Sequence, residues 1–429
     1  MARFLFTVWP FPGHIHPNIA VARALRERGH DVRFYTGSLA RTALESEGFD
    51  LSPFRRVDEA QVEEIVLSPR GIMGQRNPLR VGILWRRWVL ETVPAQLADL
   101  EGVLAEWRPD AIVCDPAMWG PFLVLHESRG VPVAILSYTA ACILPGREAP
   151  LLAVSFPRAR NPLARFRAGA VRAALSLVSR PVIRQASALR KAHGLPPLRV
   201  SVTQHAGTMP LYLMPSTPAF DYQRTDLPPS VRYVGPLLWN KPADQPPPAW
   251  LDEPPPDEPL VYVSEGTVPM DTAPLLVAAA EGLADLPVQV VMTTGSQRDP
   301  AALGLSNAAA NVRAERWVPL IDLLPRTRLV VTTGGSGTVL AALKEGVPVL
   351  AVPTAWDQPE NAWRVVDAGV GLRLSPGRCT PERLREAVQR LLTEETFREG
   401  AARMAADFRN YGGAAQAAEL LEGLTCSQR

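Results

Sequence analysis

The sequence predicts an α/β protein built from two Rossmann-like, doubly wound domains that face each other across a cleft. Three observations lead to this prediction. The chain has 429 residues, which is long enough for two domains. Short apolar strands alternate with helical segments at the start of the chain and again from residue 260, as in parallel βαβ units. A proline-dense stretch separates the two series.

The first series of predicted elements begins at the amino terminus. An apolar run ends in a turn with two prolines, and residues 17–28 then repeat apolar positions at helical spacing. The predicted strands of this series are 3–9, 31–35, 111–114 and 133–136. These elements define a first domain over residues 1–230.

The stretch that ends the first series, residues 231–259, has a composition that predicts an extended interdomain linker. A second series follows and predicts a domain over residues 260–395. Its predicted elements are strand 260–263, helix 272–283, strand 288–293, strand 329–331, helix 339–344 and strand 347–352. The remaining residues, 396–429, are predicted to contain one last helix.

A glycine-rich turn at residues 332–338 joins a predicted strand to a predicted helix. Such a turn directs backbone N–H groups and the positive end of the helix dipole to one point, which suits a diphosphate. Asp357 and Gln358 follow the next strand, and their carboxylate and amide groups suit a polyhydroxylated group. The alternative is a turn needed only for packing; the neighbouring Asp357 and Gln358 favour a ligand site.

His14 and Asp115 are the candidate catalytic residues. His14 lies just after the first strand, at the mouth of the predicted cleft, where a neutral imidazole suits a general base for a hydroxyl group. Asp115 follows strand 111–114 and can hold the second ring nitrogen. The alternatives are that His14 caps the helix and that Asp115 is a turn residue before Pro116.

Several of these segments resemble one enzyme family. The chain reads TGGSGT at 333–338, GVP at 346–348 with Pro353, and DQ and NA at 357–358 and 361–362. This order and spacing are similar to the nucleotide-sugar signature of the UDP-glycosyltransferase family. That family includes plant natural-product glucosyltransferases and bacterial macrolide and enediyne glycosyltransferases, which are inverting enzymes.

The resemblance implies the GT-B fold, an acceptor-binding first domain, a donor-binding second domain and a C-terminal helix that returns to the first domain. It implies a cytoplasmic hexosyltransferase that moves a sugar from a UDP- or dTDP-sugar to a hydroxyl of a small hydrophobic natural product, as in antibiotic biosynthesis. It implies His14 as general base and Asp115 as its partner. No cofactor or metal is expected, since the sequence contains no Asp-x-Asp triplet.

The donor contacts are expected where the chain matches the family motifs, and at Thr294, which ends a neighbouring strand. They are Gly266, Thr267, Thr294, Trp317, Val318, Thr333, Gly334, Gly335, Ser336, Gly337, Thr338, Asp357 and Gln358. Four positions depart from the family pattern. Leu320 replaces a glutamine, and Glu265 replaces a phenylalanine for a reason that the sequence does not explain. The other two bear directly on the donor. Thr333 replaces a histidine that donates to the diphosphate, and Ala341 replaces a glutamate that binds the ribose hydroxyls. The change at Ala341 makes a dTDP-sugar plausible and leaves UDP open.

The composition argues against a nucleic-acid-binding, a secreted and a membrane-spanning protein. It leaves open the role of an arginine-rich segment and two alternative functions. A net charge of +2 argues against a nucleic-acid partner, and four scattered cysteines fit a reducing cytoplasm. No signal peptide and no apolar run of membrane-spanning length is evident.

The arginine-rich residues 156–191 form either a solvated helix face or a patch that meets a membrane or a lipid-like acceptor. The functional alternatives are a sugar-nucleotide epimerase of the same architecture and a catalytically silent helper protein.

Overall fold

Two parallel β-sheets organise the chain, one in each of two units. The computed structural model describes residues 1–75, 77–146, 148, 159, 161–240, 246–253, 257–266, 273–295, 298–305 and 309–426. The first unit comprises Met1–Pro215, Arg224–Trp239 and Gly412–Arg429. The second comprises Ser216–Gln223 and Asn240–Tyr411.

The sheet of the first unit has seven strands within the described residues, all of them parallel. They are β1 Arg3–Thr7, β2 Asp31–Thr36, β3 Asp50–Pro53, β4 Ala111–Cys114, β5 Val133–Leu136, β6 Leu211–Met214 and β7 Val231–Tyr233. Their spatial order is β3-β2-β1-β4-β5-β6-β7. The order reverses beside β1, so the carboxyl ends of β1 and β4 form the switch point at which such sheets bind ligands.

The sheet of the second unit has six parallel strands in the part of the chain that is described. They are β8 Leu260–Ser264, β9 Gln289–Thr293, β10 Val312–Glu315, β11 Thr327–Thr332, β12 Val349–Ala351 and β13 Gly371–Arg373. Their spatial order is β10-β9-β8-β11-β12-β13, which reverses beside β8. Both sheets confirm the predicted doubly wound architecture.

Helices follow most of the strands. In the first unit they are α1 Pro12–Glu27, α2 Arg41–Ser46, α3 Glu59–Leu67, α4 Pro78–Val89, α5 Val93–Trp107, α6 His126–Arg129, α7 Pro162–Val178, α8 Arg180–Ala192 and α9 Val202–Ala206. In the second unit they are α10 Pro218–Asp221, α11 Pro274–Leu283, α12 Leu320–Leu323, α13 Ser336–Lys344, α14 Gln358–Asp367, α15 Pro381–Thr393 and α16 Glu395–Phe408. The last helix, α17 Gly413–Cys426, belongs to the first unit.

Each sheet is buried by apolar side chains from its own strands and helices. Phe4 and Phe6 of β1 pack with Ile19 of α1 in the first core. Val261 of β8 and Val331 of β11 lie in the second core. Strands covered on both faces read as continuous apolar runs, which is why the sequence located β4 and β5, although β6, which is equally buried, was not predicted. No helix among the described residues combines the length and the apolarity that crossing a membrane requires.

Strands β3, β7, β10 and β13 were not predicted either, and several predicted elements differ from the structure by one to three residues at their ends. Three predicted boundaries differ more substantially. Helix α1 begins at Pro12 rather than at 17, because proline is favoured in the first turn of a helix. Residues 231–233 form strand β7 and are not part of a linker. The helix predicted from 396 is two helices that separate before Gly413, whose φ of +58° suits glycine, and the first of them belongs to the second unit.

Helix α17 packs on α1 of the first unit. Glu422 of α17 accepts hydrogen bonds from the Arg28 guanidinium at 2.5 and 2.8 Å and from His30 Nε2 at 2.6 Å. These two donors, Arg28 more than His30, lower the pKa of Glu422 to about 2. The carboxylate is therefore ionised at neutral pH and anchors the C-terminal helix.

Candidate active site

The switch point of the first sheet brings His14 and Asp115 together. Strands β1 and β4 are neighbours with Thr7 opposite Cys114, so the chain leaves both strands at the same edge. His14 lies in the first turn of α1, and Asp115 directly follows β4. Two residues 101 positions apart in the sequence are thus held side by side.

The two side chains form a short hydrogen bond. His14 Nδ1 lies 2.6 Å from Asp115 Oδ2, and the aspartate is fully buried. The Asp115 carboxylate also accepts backbone N–H bonds from Trp9 at 3.3 Å and from Ala117 at 2.7 Å. Because an ionised carboxylate only accepts, His14 Nδ1 carries the proton and Nε2 remains as the proton acceptor. This arrangement can remove a proton from a bound hydroxyl group and stabilise the resulting imidazolium.

Aromatic rings surround the His14 imidazole. Tyr138 stacks on it with ring centroids 3.6 Å apart at 28°, and Phe11 and Trp88 contact it edge-on at 5.8 and 6.1 Å. These rings were not predicted from the sequence. Tyr138 follows strand β5 at the same sheet edge as Asp115, so the rule that found Asp115 could have found it. Trp88 lies in α4 and gives no comparable signal.

The glycine-rich turn of the second unit is held by a network from the Asp357 region. Asp357 Oδ2 accepts the Ser336 hydroxyl at 2.5 Å and the Asn361 amide at 2.9 Å. Asn361 also donates to the Gly334 carbonyl at 2.9 Å. Gly334 has φ of +92°, a conformation that favours glycine, and helix α13 begins two residues later. The start of α13 therefore presents its free N–H groups from a fixed backbone.

Gln358 is oriented by its own loop. Its Oε1 accepts from the Thr354 N–H and hydroxyl, both at 2.9 Å, and from the Ala355 N–H at 3.0 Å. The carboxamide oxygen is thereby occupied, and the amide nitrogen is the group that can donate to a ligand. Asp357 and Gln358 thus combine an acceptor and a donor at the start of α14.

Thr333 uses its hydroxyl within the protein. Its Oγ1 donates to the Glu265 carbonyl at 3.0 Å and the side chain is buried. Glu265 in turn accepts the Leu275 N–H at 3.1 Å and pairs with Arg298 at 3.1 Å. The Thr333 hydroxyl proton therefore points to the main chain, which leaves the N–H groups of the turn and of α13 for an anion.

The other predicted donor contacts lie at the ends of neighbouring strands. Gly266 follows β8 and has φ of +80°, while Thr267 lies outside the described residues. Thr294 is buried and donates its hydroxyl to the Arg298 carbonyl at 2.7 Å, so its side chain is engaged internally. Trp317 is half-buried just after β10, and Val318 beside it is buried.

A second feature that the sequence did not reveal fixes helix α14. Arg364 Nη2 and Nε donate to Asp221 Oδ1 at 2.7 and 3.1 Å, and both side chains are buried. The Arg364 guanidinium also lies 4.6 Å from the Tyr222 ring, and the Tyr222 hydroxyl donates to Asp367 at 2.8 Å. The short segment Ser216–Gln223 thus holds the helix that begins at Gln358.

Comparison with known proteins finds relatives that match over nearly the whole chain. Residues 278–422 match the family model described as erythromycin biosynthesis protein CIII-like, C-terminal domain. The chain is 34% identical to 4'-demethylrebeccamycin synthase of Lentzea aerocolonigenes, covering 99% of both proteins. It is 30% identical to demethyllactenocin mycarosyltransferase of Streptomyces fradiae, covering 99% of this chain and 87% of that protein.

Solved structures share the fold at lower identity. The glycotransferase of kitacinnamycin superposes with a TM-score of 0.76 at 24% identity, covering 99% of both chains. The glycosyltransferase VinC in complex with dTDP superposes with a TM-score of 0.72 at 21% identity, again covering 99% of both chains. These structures have the same two-domain α/β fold.

Proposed function

Because the chain belongs to the GT-B family of natural-product glycosyltransferases, we propose that it moves a sugar from a UDP- or dTDP-sugar to a hydroxyl group of a small hydrophobic acceptor. The observation that carries the proposal is the buried pair of His14 and Asp115, which leaves Nε2 of His14 as a base. An epimerase of the same architecture and a silent helper protein are the alternatives. A silent helper protein does not explain an oriented base. An epimerase would also use a base, but the relatives named as a synthase and a mycarosyltransferase favour neither alternative.

The proposed reaction is one direct displacement. Nε2 of His14 accepts the proton of the acceptor hydroxyl as its oxygen attacks the anomeric carbon. The bond between that carbon and the diphosphate oxygen breaks, and the nucleoside diphosphate leaves with the electron pair. The proton stays on the imidazolium, which Asp115 stabilises. Attack from the face opposite the leaving group inverts the anomeric centre, so an α-linked donor gives a β-glycoside.

The proposed donor site is the edge of the second sheet. The diphosphate lies on the turn before α13, whose N–H groups supply positive potential without a metal. The nucleobase stacks on Trp317, which follows β10. Strand β10 stands three places from β11, and three strand spacings are roughly 14 Å. That distance suits an extended nucleoside diphosphate, with the sugar near Asp357 and Gln358.

A dTDP-sugar is the donor we favour, with a UDP-sugar as the second candidate. Ala341 is buried within α13, so this position offers the ribose no polar group. A nucleotide without a 2′-hydroxyl therefore loses no hydrogen bond at this position. The fold neighbour VinC was crystallised with dTDP, which supports the same choice. The Tyr138 ring, which stacks on the base and is partly exposed, favours an aromatic or otherwise apolar acceptor, whereas Phe11 and Trp88 are buried against the imidazole.

The test of this function is a panel of UDP- and dTDP-sugars. We expect thermal shift to identify a stabilising donor, and mass spectrometry to show one added sugar on an aromatic hydroxylated acceptor. Nuclear magnetic resonance of the product is expected to show the inverted anomer. A sugar nucleotide that changes configuration without an acceptor indicates the epimerase. Absence of binding to every sugar nucleotide supports the helper protein.

Asp357→Asn is expected to lower the affinity for the sugar nucleotide without lowering the affinity for the free nucleoside diphosphate. Asparagine can keep an oxygen toward Ser336 and Asn361, while the charge that accepts from a sugar hydroxyl is lost. We expect calorimetry to show roughly tenfold weaker binding of the sugar nucleotide. The free nucleoside diphosphate is expected to bind as well or better, because a negative charge beside it is removed.

The matched control is Glu399→Gln, which removes one charge from the exposed surface of α16. It is expected to leave both affinities unchanged. Equal weakening of the sugar nucleotide and the free nucleotide in Asp357→Asn contradicts the assignment. Asp357 then acts only by holding the glycine-rich turn, and the sugar binds elsewhere.

A further inference from the structure

Helix α7 presents its largest apolar side chains to solvent. No residue of α7, all of which the structure describes, is buried. Phe166 is 76% exposed, Val178 65%, Leu163 64%, Leu177 54% and Leu175 44%. A surface helix of a globular protein ordinarily turns such side chains toward its core. This orientation therefore needs a different explanation.

Three of these side chains, Phe166, Leu177 and Leu163, form one continuous ridge along α7, whereas Val178 and Leu175 lie outside it. At about 100° per residue, Phe166, Leu177 and Leu163 fall within roughly 60° of one another around the helix axis. Ala164 and Ala168 fall on the opposite side and are half-buried. The helix thus rests on the protein with small side chains and directs its large apolar ones outward.

Arginines flank the apolar ridge on both sides. Arg165 and Arg167 are exposed and lie on either side of it around the helix axis. Helix α8 follows with Arg180 and Arg184. Between residues 149 and 220 the sequence contains ten arginine and lysine residues and no aspartate or glutamate, but Arg190, which was predicted to belong to the patch, is buried and pairs with Glu127. Of the arginines predicted to form a patch, Arg158 and Arg160 lie outside the described residues.

We propose that α7 lies in the surface of a membrane that contains anionic lipids. Phe166, Leu163 and Leu177 would insert among the acyl chains, and the flanking arginines would reach the phosphate groups. This combination of an apolar ridge and a cationic border is complementary to a negatively charged bilayer. The inference concerns where the protein works and does not depend on the proposed sugar transfer.

A second copy of the chain fits the same surface less well. A symmetric dimer through α7 would bring the same face of two copies together, and basic side chains would then face one another, because α7 and α8 carry arginines and no carboxylate. Like charges at close range oppose such pairing. An anionic lipid surface avoids this repulsion, because it supplies the opposite charge along the whole helix.

The test is co-sedimentation of the full-length protein with two kinds of vesicle. One kind is pure phosphatidylcholine, and the other contains equal parts of phosphatidylcholine and phosphatidylglycerol. We expect binding to the anionic vesicles only, with weaker binding at high salt. Phe166→Glu is expected to lower the partition coefficient about tenfold, because one large apolar anchor is replaced by a charge. Replacing both Arg165 and Arg167 by glutamate is expected to abolish binding.

The matched control is Leu39→Glu, a leucine that is 50% exposed in a short helical turn of the same unit. It is expected to bind vesicles like the natural protein. Thermal unfolding of each variant separates lost binding from lost folding. Equal binding to both vesicles, or no binding to either, overturns the proposal. A dimer of the natural protein that Phe166→Glu converts to a monomer also overturns it, since a second copy then covers the ridge.

Discussion

His14→Ala is expected to lower kcat by roughly 10²–10⁴-fold, the usual contribution of a general base. The imidazole is the group that Asp115 orients, and alanine leaves nothing to accept the proton of the acceptor hydroxyl. The proposed donor residues belong to the second unit, so the nucleoside diphosphate is expected to bind with unchanged affinity. Steady-state kinetics and calorimetry on the same preparation measure the two quantities.

Asp115→Asn refines this prediction. The aspartate orients the base and does not itself take the proton, so its loss is expected to cost less than that of His14. The matched control is His193→Ala, which removes an exposed histidine of the same unit and is expected to keep full activity. A His14→Ala protein with nearly natural kcat contradicts the assignment of the base. An Asp115→Asn protein more impaired than His14→Ala contradicts the orienting role.

The parts of the fold that could be predicted are those with a local signal. Strands 111–114 and 133–136 match β4 and β5, because strands buried on both faces are continuous apolar runs. The positions of His14 and Asp115 followed from strand ends, since parallel strands leave a sheet at one edge. The extents of α1 and α16 were less predictable, because they depend on where a single proline or glycine sits.

Contacts between residues that are distant in the chain could not be predicted, because they leave no local pattern in the sequence. Thr333 was expected to face a diphosphate, whereas its hydroxyl donates to the Glu265 carbonyl, 68 residues away. The sequence did not explain why a glutamate stands at position 265. In the structure the Glu265 carboxylate accepts the N–H of Leu275 and pairs with the Arg298 guanidinium. Such partners become visible only when the strand order is known. Residue types and spacing alone do not specify them.

Asp221→Ala is expected to destabilise the second unit by about 3–5 kcal/mol, the usual effect of removing one partner of a buried ion pair. Arg364 would keep its charge in a buried position, with the Glu360 carbonyl at 3.2 Å and the Tyr222 ring as remaining contacts. For a unit of this size the melting temperature is expected to fall on the order of 10 °C. Differential scanning calorimetry measures this change, and it resolves the two units if they unfold separately.

The control is Asp285→Ala, which removes an 89% exposed partner of Arg385 from the same unit and is expected to cost no more than about 1 kcal/mol. The double variant Asp221→Ala with Arg364→Met is expected to recover much of the loss, because no buried charge remains uncompensated. An Asp221→Ala protein as stable as the control indicates that water reaches Arg364. A double variant less stable than Asp221→Ala indicates that the Arg364 contacts with Tyr222 and Glu360, rather than its charge pairing, hold helix α14 in place.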